Sequence, residues 1–117
     1  LKADLHTTQL NGFPASAGVY KGRARVMVSA TELFDLEEGE ILVTEATSPN
    51  WTPAFALIGA CVCDGGGSLT HAATVSREYG IPCVVGTSVA TLRIKTGDVI
   101  EVDGTRGTIT ILERAAT

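Results

Sequence analysis

Three consecutive glycines, Gly65, Gly66 and Gly67, stand four residues ahead of His71, with hydroxyls at Ser68 and Thr70 in between. The small and β-branched run "ACVCD" (60–64) precedes them and a helical pattern follows over 70–79. Strand, glycine turn and helix start together make an anion site. The first N–H groups of a helix lack intrahelical partners, and the helix dipole adds partial positive charge there. Glycines let successive backbone amides close around an anion. Asp64-Gly65-Gly66-Gly67-Ser68 therefore reads as built for phosphate.

The nucleotide versions of this design are absent. No Gly-Lys-Ser/Thr ending supplies a lysine for β- and γ-phosphates, and no G-x-G-x-x-G occurs. His71 stands where such a lysine would be. A neutral imidazole is a competent nucleophile at physiological pH, and a phosphoryl group on one ring nitrogen would lie against the loop amides. On residue types alone a second reading stays open, a histidine capping or packing at a helix end while the glycines merely turn the chain.

Two other chemistries compete for the same residues. Cys61 and Cys63, two apart on a strand, face one side, with His71 close in sequence. That is three potential metal ligands without standard zinc spacing, and small cysteines in a strand are commonly buried. Neither Cys61 nor Cys83 is placed beside a histidine or helix start that would favour its thiolate.

The elements that must hold this site follow from the patterning. Residues 1–10 read as a polar tail or linker containing an incidental His6, and 11–114 as a single domain. Strands are expected at "RARVMVS" (23–29), "EILVTEA" (40–46), 60–64 and "CVVG" (83–86). A short helix is expected with Thr52 as N-cap and Pro53 at its first position, running to about Ile58. The central helix, 70–79, ends at Gly80-Ile81-Pro82. A hairpin over 95–112 turns at Asp103-Gly104. The sum is a mixed α/β domain with about three helices and six or seven short strands.

Composition sets outer bounds. The 117 residues are 44% hydrophobic and carry a formal net charge of −4, enough apolar material for one core. No Lys/Arg cluster offers a footprint for nucleic acid. Lys21, Arg23 and Arg25 alternate along a strand and read as a solvated face, as do the carboxylates of "ATELFDLEEGE" (30–40). No apolar run has the roughly 18–20 residues needed to cross a bilayer, and no signal peptide is visible. Three cysteines, an odd number, argue for a reducing, cytoplasmic compartment. The chain opens on Leu1 rather than Met, as expected of a domain excised from a longer chain.

Read whole, "GGGSLTHAATVSREYGIPCVVGT" resembles the phosphohistidine motif of the PEP-utilising enzyme family (pyruvate–phosphate dikinase, PEP synthase, rifampicin phosphotransferase and phenylphosphate synthase type). Gly66, Gly67, Leu69, Thr70, His71, Ala72, Ala73, Val75 and Arg77 match, then Gly80-Ile81-Pro82 and Val84-Val85-Gly86. "LNGFPASAGVYKGRARV", the Thr-x-Pro-x-Trp stretch in "TSPNWTPAFALIGACVCD", and the spacing at 92–107 extend the likeness over about residues 10–112. Thr74, Ser76 and Cys83 depart from the pattern and leave the histidine untouched.

The resemblance implies a compact swivelling β/β/α phosphohistidine domain and a phosphotransferase or dikinase component. His71 would accept a phosphoryl group, the β-phosphate of ATP by way of an ATP-grasp domain, and pass it to pyruvate or another acceptor. Gly65, Gly66 and Gly67 would be the backbone cradle, with Ser68 and Thr70 donating hydroxyls to the phosphoryl oxygens or the imidazole. Arg77 is a candidate docking residue, or else a surface ion-pair partner. No cofactor or metal is expected on this domain; ATP and Mg2+ belong to the ATP-grasp partner, which with an acceptor-substrate domain lies in the same chain or a separate subunit. The alternatives are a non-catalytic binding or regulatory module of the same fold, and the metal-binding module.

Overall fold

A computed structural model describes residues 8–29, 33, 35–67 and 70–115. Eight strands run β1 (Thr8–Asn11), β2 (Phe13–Ser16), β3 (Val19–Val26), β4 (Ile41–Thr44), β5 (Ala60–Cys63), β6 (Cys83–Val85), β7 (Val99–Asp103) and β8 (Thr108–Glu113). A 3-10 helix, Pro49–Ala56, precedes β5; helix α1 (His71–Tyr79) joins β5 to β6, and α2 (Ala90–Arg93) follows β6.

The strand order is β1-β8-β7-β3-β4-β5-β6-β2. β3, β4, β5 and β6 are mutually parallel, and β1, β8, β7 and β3 are joined by antiparallel pairing. β3 therefore belongs to both halves. The central strands are buried along their whole length, which is why "ILVT", "ACVC" and "CVV" carry no polar alternation. Ile41, Val43, Ala60, Val62 and Val84 meet Ile100, Val102, Ile109 and Ile111 of the antiparallel half in one apolar layer. The opposite faces of the same strands, Leu42, Cys61, Cys63, Cys83 and Val85, meet Trp51, Phe55, Ala72, Ala73 and Val75 in a second. The layers are thus sheet, sheet and helix, the expected β/β/α arrangement.

Several expectations need correction. Residues 8–10, read as tail, belong to β1, which pairs antiparallel with β8 and sends Leu10 into the core. Backbone ladder bonds do not require an alternating pattern, so this edge strand is silent in the sequence; residues 1–7, with His6, lie outside the described residues. The 3-10 helix starts at Pro49 after Ser48, not at Thr52, because a proline at the first helical position serves either start. The Arg25 and Glu40 side chains are not simply solvated: the guanidinium donates twice to the carboxylate at 3.0 Å. α1 ends as expected, with Gly80 at φ 71°, its N–H donating to Arg77 C=O, and Ile81 N–H donating to Ser76 C=O.

Candidate functional site

β5 delivers the chain to the sheet's carboxyl end, where Asp64–Gly67 turn back toward α1. His71 is the first residue of α1 and is half-buried. Its imidazole meets the edge of Phe55, ring centroids 6.0 Å apart at 74°, so the 3-10 helix fixes the ring plane from one side. From the other, Thr47 Oγ1 lies 2.8 Å from Nδ1. If the hydroxyl donates, Nδ1 accepts and Nε2 carries the proton. If it accepts, Nδ1 is protonated and the Nε2 lone pair is left for chemistry.

A cavity of about 250 Å³ opens beside the ring, lined in part by Thr47, Gly65, Gly66, Thr70 and His71. The volume suits a phosphoryl group with water around it, not a nucleotide.

The glycines differ in what they do. Gly65 spends its N–H on Glu45 C=O (2.9 Å) and its carbonyl accepts from Gly86, so it shapes the loop rather than offering a donor. Gly66 adopts φ +102°, and a Cβ there would sit 2.8 Å from Thr70 Cγ2. Gly67 faces open space. The N–H groups of Gly66 and Gly67 have no partner among the described residues, and those of the first α1 turn lack intrahelical acceptors. These are the donors the loop could offer to an anion.

The other expected site residues divide. Thr70 precedes α1 without capping it: its hydroxyl donates to Gly67 C=O at 2.9 Å, so that proton goes neither to the imidazole nor to a phosphoryl oxygen in this state. Among the described residues, the hydroxyl that reaches the ring is Thr47's. Ser68 lies outside the described residues. Arg77 Nε donates to Ala15 C=O at 2.7 Å and ties α1 to β2, an anchoring role that neither docking nor a surface ion pair anticipated. Cys61 and Cys63 are buried, their sulfurs 3.9 Å apart, and hydrogen bonding to Cys63 and Cys83 together with burial holds the Cys61 thiol well above its ordinary value. A protonated thiol is a poor ligand, and among the described residues no group of three His, Cys, Asp or Glu gathers to hold a metal.

In the sequence Thr47 stands only as part of Thr-x-Pro-x-Trp, with no role attached. A partner 24 residues away leaves no local signal; a threonine at a strand's carboxyl end ahead of a Pro-led turn was the only pointer.

Residues 36–107 match the family described as PEP-utilising enzyme, mobile domain. Three relatives are similar over most of this chain. The phosphoenolpyruvate synthase of Pyrococcus furiosus is 51% identical over 100 residues, 86% of this chain and 12% of that protein. The rifampicin phosphotransferase of Streptomyces sviceus is 48% identical over 109 residues, 93% of this chain and 12% of that protein. The chondramide synthase of Chondromyces crocatus is 51% identical over 104 residues, 89% of this chain and 3% of that protein. The chain thus spans an eighth or less of these relatives. Among solved structures, that of Enzyme I superposes with a TM-score of 0.58 at 33% identity, covering 66% of this chain and 32% of that one. Family match, shared β/β/α layering and a histidine at the mouth of a glycine loop converge: the chain belongs to the PEP-utilising enzyme family, as its mobile domain.

Proposed function

We propose that the chain is a phosphoryl carrier in which Nε2 of His71 is the atom that accepts and donates the group. The observation that carries this reading is the Thr47 contact to Nδ1. With Thr47 oxygen accepting from Nδ1–H, the lone pair sits on Nε2, and the positive charge that develops on the ring is stabilised at the far nitrogen. In the forward step the Nε2 lone pair forms the N–P bond, the donor's P–O bond breaks, and its electron pair leaves on the donor oxygen. In the second step an acceptor oxygen attacks phosphorus, and the N–P electron pair returns to Nε2. The amides of Gly66 and Gly67, without partners among the described residues, and the α1 dipole stabilise the phosphoryl oxygens throughout.

The donor in this reading is ATP, held with Mg2+ on an ATP-grasp domain. Nε2 attacks the β-phosphorus and AMP leaves, and transfer of the terminal phosphate to water releases inorganic phosphate, so that the β-phosphoryl group remains on the ring. Pyruvate or another hydroxyl or enolate compound is the acceptor, bound by a further domain. A cavity with room for a phosphoryl group and water, with no lysine beside the loop among the described residues, supports a carrier rather than a nucleotide site.

Potassium phosphoramidate, a small phosphoryl donor, tests this without partner domains. The 117-residue chain should take acid-labile, base-stable label at His71 Nε2, read by phosphorus-31 NMR, faster than at His6. His71→Ala should abolish that fast phase. Label on Nδ1 of His71, or a fast phase that survives in His71→Ala, would overturn the reading.

A further inference from the structure

Asp64 is an odd residue to find at the base of a phosphate loop. A carboxylate there repels the dianion the loop would hold, the more so at reduced dielectric. Both of its oxygens, however, are committed: Oδ1 accepts from Thr91 N–H at 3.0 Å, and Oδ2 accepts a short bond from the Thr91 hydroxyl. A charge met by two donors in this way is partly neutralised where it stands.

The same segment grips the loop's backbone. Gly86 N–H donates to Gly65 C=O, Thr87 N–H to Cys63 C=O and Ser88 N–H to Asp64 C=O. Thr87 Oγ1 also donates to Cys63 C=O, and accepts from Ala90 N–H. Residues 86–91 are therefore a clasp that occupies the carbonyls of 63–65, while the Gly66 and Gly67 N–H groups are left without partners among the described residues. Ser88, at φ 68°, holds the left-handed conformation as the clasp turns into α2. Of all these bonds only the pair to the Asp64 carboxylate depends on a side chain of the loop itself.

We infer that Asp64 is a positioning residue: by locking onto Thr91 it fixes how the Gly66 and Gly67 amides are presented to the phosphoryl group on His71. The inference rests on the carrier reading above. Asparagine at 64 keeps the size and can still accept from Thr91 N–H, but it puts an N–H group where Oδ2 accepted. The bond to the Thr91 hydroxyl must then reverse, and it loses its charge assistance. Valine at 91 removes only the hydroxyl, and serine restores it.

The test uses nitrogen-15 amide spectra and label lifetimes of the phosphoramidate-treated chain, with thermal midpoints recorded alongside. Labelling wild type should shift the Gly66 and Gly67 amides. Asp64→Asn and Thr91→Val should reduce those shifts by at least half and hydrolyse the label about fivefold faster, the factor expected for one lost hydrogen bond. Thr91→Ser should match wild type. A scaffold role alone would lower the midpoint but leave shifts and lifetime unchanged, and that result would overturn the inference. If Asp64→Asn does not fold, Thr91→Val decides. Wild type that labels normally beside unaffected variants sinks the positioning role only; wild type that takes no label at His71 sinks the carrier reading and this inference together.

Discussion

At the scale of single residues, the site is a ring held at both ends. Phe55 meets the His71 ring at 74° and the Thr47 hydroxyl lies against Nδ1. Thr47→Val removes one hydrogen bond of about 1 kcal/mol, so labelling of His71 by phosphoramidate should slow about fivefold while Thr47→Ser retains it. A Thr47→Val chain that labels at the wild-type rate would show that the ring needs no such partner. The glycines make a second pair of predictions. Gly66→Ala forces a side chain onto φ +102° and against Thr70 Cγ2, and should cost about 2 kcal/mol in urea unfolding. Gly67→Ala meets nothing within 4 Å, so its stability should stay at wild type while its label becomes shorter-lived. Equal destabilisation by the two would mean the loop is uniformly tight. The histidine and glycines were legible in the sequence because strand, glycine run and helix start are contiguous. Thr47 and the bonding of Asp64 were not, since each depends on a partner 24 or 27 residues away.

At the scale of elements, what the sequence revealed tracks how local the cause is. α1 was readable at its end because Gly80 takes the left-handed conformation that stops a helix. The β7–β8 hairpin was readable because Ile100, Val102, Ile109 and Ile111 alternate with polar neighbours. β1 was missed because an edge strand is made by the ladder to β8, not by its own pattern. One junction between elements gives a pH prediction. Asp98 is 1% exposed, and burial by itself would raise its carboxyl. The N–H groups of Lys95 and Ala115 and the Arg114 guanidinium outweigh that and hold it below its ordinary value. A carboxyl lowered in the folded state contributes stability that is full above its unfolded value, about 3.9, and is lost as pH falls through the lower folded value. Asp98→Asn should therefore cost about 2 kcal/mol at pH 7, and the gap to wild type should narrow below about pH 4. Denaturant midpoints at pH 7 and pH 3 check this; a gap that widens in acid would contradict it.

At the scale of the whole molecule, a carrier of the kind proposed above raises the question of what moves when a phosphoryl group travels. β4, β5 and β6 supply one face to each apolar layer, so neither layer can open without exposing the other. The glycine loop is clasped by 86–91, and α1 is tied to β2 through Arg77. Among the described residues, these ties leave no internal hinge near His71. Thr8 pairs with Ile111 of β8, and Ala115 N–H donates to Asp98, so both ends of the described chain are also tied to the body. In the carrier reading proposed above, such a body turns as a unit and does not need to deform. Phosphorylating His71 should then perturb amides only around 46–47, 63–67, 70–73 and 86–91, and leave the solution radius of gyration unchanged from that of the unlabelled chain, whose Cα value is 12.7 Å. Amide spectra and small-angle scattering of the labelled chain measure both. Shifts spread through β1, β7 and β8, or an expanded body, would mean that the fold itself yields on phosphorylation, and transport would have to be sought in its deformation rather than in its rotation.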